Sequence, residues 1–106
     1  MSINVATITG VLTREPRMNY DSGTPKARLI VACFDLVKDA DGKWAKRRTI
    51  IPVVVEGKNA ERTAGWLREG MMVEIEGSVR GAKVATIDGF GVACFIAARR
   101  VEQVKA

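Results

Sequence analysis

The stretch that decides the fold of this chain covers residues 49–80 and reads T-I-I-P-V-V-V-E-G-K-N-A-E-R-T-A-G-W-L-R-E-G-M-M-V-E-I-E-G-S-V-R. A run of β-branched residues ends at Gly57 and predicts a strand, and apolar residues at helical spacing follow as far as Glu69. Gly70 is placed where glycine commonly ends a helix, and an alternating strand pattern begins after it. Strand, short helix and strand in a small basic chain favour a five-stranded barrel that binds an oligomeric ligand.

Strand patterns flank this stretch on both sides. Gly10 lies inside the first pattern and predicts a bulge or a sharp bend, as barrel strands often need. Pro52 lies inside the third and predicts an edge or bulge position, because proline cannot donate to a strand ladder. Five strands with one helix between the third and the fourth predict an all-β fold, a five-stranded Greek-key OB barrel. The predicted strands cover residues 3–14, 26–37, 44–55, 71–80 and 92–101, and the helix covers 58–69.

Length and charge bound the class of protein. The 106 residues leave room for one domain with one modest core, and we expect residues 1–106 to form that domain with no acidic C-terminal tail. Seventeen Lys and Arg against twelve Asp and Glu give a formal net charge of +5. This balance favours polyanionic partners, nucleic acid first, although many small basic proteins bind no nucleic acid.

The chain lacks the residues that most catalytic and metal sites use. It contains no histidine, which excludes Ser-His triads and histidine metal ligands. Cys33 and Cys94 are isolated inside apolar runs, so we expect two buried thiols in a reducing cytosol, with a disulfide or a reactive thiol as the alternatives. No glycine pattern matches a phosphate-binding loop or a dinucleotide fingerprint. We therefore expect a protein that is not an enzyme and that holds no metal and no cofactor.

The hydropathy pattern predicts no membrane partner. The hydrophobic fraction is 47%, which is ordinary for a folded domain, and no stretch approaches the ~18 continuous apolar residues of a membrane span. The N-terminal residues M-S-I-N lack the basic-then-apolar layout of a signal peptide. We expect a cytoplasmic protein.

The strongest candidate interface is the hairpin arm over residues 38–48. Its turn, D-A-D-G at 39–42, is followed by a tryptophan among several cations. Phosphate-seeking cations beside a flat aromatic surface suit sequence-tolerant binding of single-stranded nucleic acid, since every base offers a π-face. The alternative is a solvated basic hairpin whose tryptophan packs on a neighbouring strand or subunit. The candidate residues of the arm are Lys38, Lys43, Trp44, Lys46, Arg47 and Arg48.

Other candidates lie outside the arm, each with an ordinary structural alternative. Phe90, beside a turn, could offer a second stacking point, and could equally be a core residue at the start of a strand. Phe34 lies on the polar-leaning side of the second predicted strand and is a third stacking candidate. Trp66 is expected to pack beside Leu67 on the helix. The remaining candidates are Arg28 in the second strand, Arg80 and Lys83 near Phe90, and Arg14 in the first loop with Arg17 and Lys26, whose alternative role is solubility.

Five segments, in this order and spacing, resemble the bacterial single-stranded-DNA-binding protein family, including its primosomal replication protein B-like members. The resemblance covers nearly the whole chain, and no single segment is specific by itself. The segments are G-V-L-T-R-E-P-R at 10–17, Y-D-S-G-T-P at 20–25, G-K-N-A-E at 57–61, W-L-R-E-G at 66–70 and V-E-I-E-G-S-V-R at 73–80.

The resemblance implies an OB fold, assembly into a homo-dimer or homo-tetramer, and single-stranded DNA wrapped along a basic surface in replication, recombination or repair. It also implies missing stacking aromatics, because the family's aromatic positions fall on Val37, Ile50 and Glu56. Two alternatives are a primosomal adaptor that bridges a replication helicase or other replisome proteins, and a structural or RNA-binding OB module.

Overall fold

The computed structural model describes residues 2–105, which form six strands and one helix. Five long strands close a barrel in the order β1-β5-β6-β4-β3, with β3 pairing back to β1, and the short β2 adds to β3. All pairings are antiparallel except that of β4 with β6. The predicted five-stranded OB barrel is therefore confirmed, with its helix between the third and fourth long strands. The elements are β1 (Ala6–Leu12), β2 (Arg17–Asn19), β3 (Lys26–Lys38), β4 (Trp44–Glu56), α1 (Lys58–Trp66), β5 (Met72–Thr86) and β6 (Gly89–Gln103).

The barrel closes where β1 changes partners. β1 pairs with β5 as far as Val11, and at Val11 and Leu12 it also pairs with β3. The register with β5 continues through Gly10 without interruption, so of the predicted bulge or sharp bend the bulge is absent. A Cβ at Gly10 would lie 2.5 Å from the carbonyl oxygen of Ala32. Close approach of the β3 backbone therefore explains this glycine.

The core is formed by inward-facing side chains of the strands and by one face of α1. Leu29, Val53 and Ile75 are fully buried, as are Ala60 and Leu67 at the helical end of the barrel. The predicted apolar stripe of the helix therefore packs into the barrel, as expected. A fully buried leucine of this kind contributes about 2 kcal/mol through the area it removes from water.

The helix is shorter than its pattern predicted. It ends at Trp66, and Leu67 already has an extended backbone, although the helix was expected to reach Glu69. Gly70, with a φ of 89°, lies in the turn that leads into β5, where its N–H donates to the carbonyl oxygen of Leu12. Trp66 is partly exposed rather than packed away, because the chain turns inward only at Leu67.

The β5–β6 hairpin is longer than predicted. The sequence indicated a connection between residues 80 and 92, but the strands pair until Thr86 meets Gly89 across a two-residue turn. The extra length projects beyond the barrel, and its β5 residues are exposed on both sides. Because neither side is buried, no alternation of apolar and polar residues marks this segment as strand.

Two local predictions have different outcomes. Pro52 lies in the part of β4 that pairs with β3 alone, since the parallel pairing with β6 covers Val53 and Val54, and this agrees with an edge position.

Cys33 is half-buried, but Cys94 is exposed on the projecting hairpin, so the expectation of two buried thiols is wrong for Cys94. Burial, followed by the nearby Asp35 charge, raises the pKa of the Cys33 thiol.

Candidate nucleic-acid interface

The paired strands β3 and β4 turn one face to the outside of the barrel, and its residues are exposed or half-buried except for the buried Ala32. Their inward positions include Leu29, Val31 and Val53, which are buried. The alternate positions point the other way, because successive side chains of a strand lie on opposite faces. We call this surface the outer ribbon face, and it extends over ten residue steps, or about 33 Å. Its cross-strand pairs are Arg28 with Val54, Ile30 with Pro52, Ala32 with Ile50, Phe34 with Arg48, Leu36 with Lys46, and Lys38 with Trp44.

Two exposed aromatic rings lie on the outer ribbon face, each close to a lysine. Trp44 is 66% exposed and Phe34 is 47% exposed. The Nζ atom of Lys38 is 5.8 Å from the centroid of the Trp44 ring, and that of Lys46 is 4.6 Å from the Phe34 ring. Cation and π-face therefore occur together, which is the pairing that binds a base and its phosphate at neighbouring points.

No ion pair within the described chain neutralises the cations of the outer ribbon face. Lys38, Lys46 and Arg48 form no ion pair with any residue between 2 and 105. The ion pairs that the described chain does contain all lie on β5 and β6. Unpaired cations on one face leave a positive field that attracts a polyanion.

On the β5–β6 sheet, by contrast, arginine side chains form ion pairs with glutamates. Arg100 contacts Glu102 at 2.9 Å, Glu74 at 3.1 Å and Glu76 at 3.2 Å. These contacts raise the pKa of the Arg100 guanidinium, with hydrogen bonding to Glu102 as the largest cause. The charges of this surface are thus largely compensated, whereas the cations of the outer ribbon face have no ion-pair partner among residues 2–105.

A groove of about 400 Å³ continues the outer ribbon face at its end away from the hairpin tip. Ile30, Pro52 and Val54 form its floor together with Phe95 of β6. The Nε atom of Arg14 is buried and has no hydrogen-bond partner among the described residues. The groove's polar lining consists of Arg14, Asn19, Lys26, Arg28 and Glu56.

Three further candidate residues, Phe90, Lys83 and Arg80, lie on the β5–β6 hairpin. Phe90 is 80% exposed, and the Nζ atom of Lys83 lies 5.6 Å from its ring centroid. Arg80 lines a shallow depression beside the groove. Val54 and Glu56 line both the depression and the groove. Phe90 is thus an exposed ring on a hairpin, and the core alternative is wrong.

Two predicted residues of the hairpin arm are not brought to the outer ribbon face. Arg47 pairs in register with Asp35, and both belong to the opposite face of the two strands. Lys43 lies in the turn before β4, where its backbone N–H donates to Oδ1 of Asp39 at 2.9 Å. Strand alternation therefore separates Arg47 from Lys46 and Arg48, so the cations predicted to surround Trp44 do not share one face, and their part in binding stays a prediction.

Sequence reasoning missed the apolar part of this surface. Leu36 follows Phe34 by two residues on β3, and Val54 lies opposite Arg28 on β4; counting every second residue along each strand could have found both. Phe95 had no such signal, because only the parallel pairing of β4 with β6 brings it beside Pro52.

The described residues form neither a metal-binding cluster of side chains nor a membrane-spanning helix. Residues 2–105 contain no cluster of three or more cysteine, aspartate or glutamate side chains able to hold a metal ion. Within the same part of the chain, no helix has the length and apolar character needed to cross a membrane.

The chain is similar to proteins of one kind in sequence and fold. A family model described as the single-strand binding protein family matches residues 3–103. The single-stranded DNA-binding protein of Clostridium tetani is 33% identical over 88 residues, which is 82% of this chain and 59% of the relative. That of Xanthomonas axonopodis pv. citri is also 33% identical over 88 residues, covering 82% of this chain and 49% of the relative. The chain thus spans about half to three-fifths of these relatives' length.

Solved structures show the same fold. A deletion variant of the single-stranded DNA binding protein from Thermus aquaticus superposes with a TM-score of 0.83 at 21% identity, covering 97% of this chain and 51% of that one. The small single-stranded DNA-binding protein from Streptomyces coelicolor superposes with a TM-score of 0.78 at 16% identity, covering 98% of this chain and 96% of that one.

Proposed function

Because the chain belongs to the single-strand binding protein family, we propose that its outer ribbon face binds single-stranded DNA. The observation that carries this proposal is the coincidence of exposed aromatic rings and unpaired cations on one face. Stacking on an aromatic ring tolerates any base, and a cation tolerates any phosphate. The activity is therefore binding without a catalysed reaction and largely without regard to sequence.

The strand would follow the ribbon from Trp44 towards the groove. Bases stack on Trp44 and Phe34, while Arg48 and Lys46 neutralise the phosphates between them. Lys46 already lies over the Phe34 ring, so a base reaching that face displaces its ammonium towards the backbone phosphate. A path of about 33 Å is compatible with the lower part of the ~4–16-nucleotide range of OB-fold sites.

Binding can be measured through Trp44 itself. The chain has two tryptophans, so Trp66→Phe leaves Trp44 as the sole indole reporter. Titration with oligo-dT should quench its fluorescence strongly, because the indole stacks on a base. In the Trp66→Phe background, Trp44→Ala should weaken binding by about 5- to 150-fold, measured by anisotropy of labelled DNA, which corresponds to ~1–3 kcal/mol per stacked base.

Two controls define this experiment. Duplex DNA of equal length should bind more weakly, because its bases are not available for stacking. Comparable affinity for the matching RNA would favour the RNA-binding alternative. Absence of binding to either single strand at low salt would refute the proposed function.

We also infer that two or more copies assemble, and that the complex acts in replication, recombination or repair, where single strands are exposed. One structural feature supports assembly: between Ala6 and Gly10, β1 pairs with β5 on one side, while its pairing with β3 begins only at Val11. An open strand edge of this kind is suited to pairing with a second copy of the chain.

A further inference from the structure

Glu56 is the only acidic residue among those that line the groove. It lies directly opposite Lys26 in the β3–β4 register. Nevertheless, its carboxylate forms no ion pair and accepts no hydrogen bond from residues 2–105. An exposed carboxylate without a partner weakens the attraction of a polyanion, so its place at the rim of a basic groove requires a different explanation.

We infer that Glu56 gives the groove a preference for a base that carries an amino group over thymine. The inference rests on the proposed function and adds base selection at one position of the bound strand. The occupant is one nucleotide of single-stranded DNA: its base lies on the apolar floor, its phosphate meets the groove's cations, and its amino group donates to Glu56.

The groove has the size and layout for this occupant. Its volume of about 400 Å³ lies within the ~300–1,000 Å³ range of small-ligand pockets. Ile30, Pro52 and Val54 offer a flat apolar support for a base. Arg14 and Arg28 line the groove and offer guanidinium donors to a phosphate. The charge pattern is thus complementary to a nucleotide, with cations for its phosphate and one anion for its base.

The position of Glu56 matches the edge of a base rather than its phosphate. Glu56 follows Val54 by two residues on the same face of β4, a separation of about 6.6 Å along the strand. A base resting on the floor around Val54 therefore presents its edge to the Glu56 carboxylate.

Hydrogen-bond chemistry decides which bases fit. An ionised carboxylate only accepts hydrogen bonds, and glutamate accepts well from the N4 amino group of cytosine. Thymine has no amino group, and its single N3–H donor lies between two carbonyl oxygens, which the carboxylate repels. The same groove therefore binds cytosine better than thymine.

The experiment compares oligo-dC with oligo-dT of equal length at pH 8, where cytosine is neutral, using the unmodified protein and two variants. We expect the unmodified protein to bind oligo-dC at least about fivefold more tightly. In Glu56→Gln the amide can also donate to thymine, so the dC-to-dT affinity ratio should fall below about twofold. The ratio is the readout, because loss of the negative charge strengthens binding to both strands alike.

Glu69→Gln is the matched control. It removes the same charge from an exposed residue outside the groove, and the dC-to-dT ratio should stay at the value of the unmodified protein. Equal affinities in the unmodified protein, or a ratio that Glu56→Gln leaves unchanged, would overturn the base preference alone. Failure to bind either strand would overturn the proposed function and the base preference with it.

Discussion

Replacing Lys46 and Arg48 together by alanine should weaken binding of single-stranded DNA by about 100-fold at low salt. Both side chains lie on the outer ribbon face, and neither forms an ion pair within the described chain. Neither therefore has to break an ion pair inside the protein before it binds a phosphate, and Lys46 only has to leave the face of the Phe34 ring. A loss of about 1.4 kcal/mol for each cation, close to the lower end for hydrogen bonds to charged groups, gives the expected factor.

Salt dependence separates this effect from a general loss of affinity. Two phosphate contacts fewer should reduce the slope of log K against log salt concentration by about 1.4, because each neutralised phosphate of a single strand contributes about 0.7. Anisotropy titrations of labelled oligo-dT at several salt concentrations measure both the affinity and the slope.

The chain provides a control one residue away. Arg47 has the same side chain as Arg48 but belongs to the opposite face, in register with Asp35. Arg47→Ala should therefore change the affinity by less than about threefold, while Arg48→Ala alone should weaken binding by about tenfold. Equal losses in the two single variants would show that net charge, and not the outer ribbon face, governs binding.

Gly77→Ala is expected to cost more than about 3 kcal/mol in the free energy of unfolding. A Cβ at Gly77 would lie 2.1 Å from the carbonyl oxygen of Ala97 and 2.8 Å from its carbonyl carbon. These are backbone atoms of the paired strand β6, and no rotamer change can move them away. The site adjoins the register shift between Glu76 and Gly77, so relief requires the two strands to separate locally. Urea unfolding followed by circular dichroism measures the loss.

The same substitution at Gly65 serves as the control and should have the opposite sign. Gly65 lies in α1, and a Cβ there meets no atom within 4 Å. Because alanine favours a helix over glycine, Gly65→Ala should raise the free energy of unfolding by about 0.5–1 kcal/mol. If Gly77→Ala unfolded at the same urea concentration as the unmodified protein, the close approach of β5 and β6 would be refuted.

The barrel was predictable because its strands bury one face and expose much of the other. Leu29 and Val31 alternate with the exposed Arg28 and the half-buried Ile30, and the run that ends at Gly57 precedes a helix stripe that includes Leu67. Burial imposes these periods on the sequence, so they can be recognised without coordinates. The projecting hairpin has no buried side, and its extent was missed for that reason.

The candidate site was predictable in composition but not in geometry. The cluster around Trp44 identified the hairpin, and Phe34 was correctly placed on the polar-leaning side of its strand, which it shares with Arg28. The division between Arg47 and Arg48 depends on the register of the two strands. The groove depends on a parallel contact between β4 and β6, segments about forty residues apart in sequence, which no local pattern specifies.

The most direct test of the account is a residue-resolved NMR titration of the protein with oligo-dT. We predict that amide shifts change mainly along β3 and β4, from Arg28 to Lys38 and from Trp44 to Val54, with smaller changes around Phe90. Amides of α1 and of the compensated surface around Arg100 should remain unchanged. Shift changes concentrated on α1 and around Arg100, with β3 and β4 unaffected, would contradict the central claim that the outer ribbon face binds single-stranded DNA.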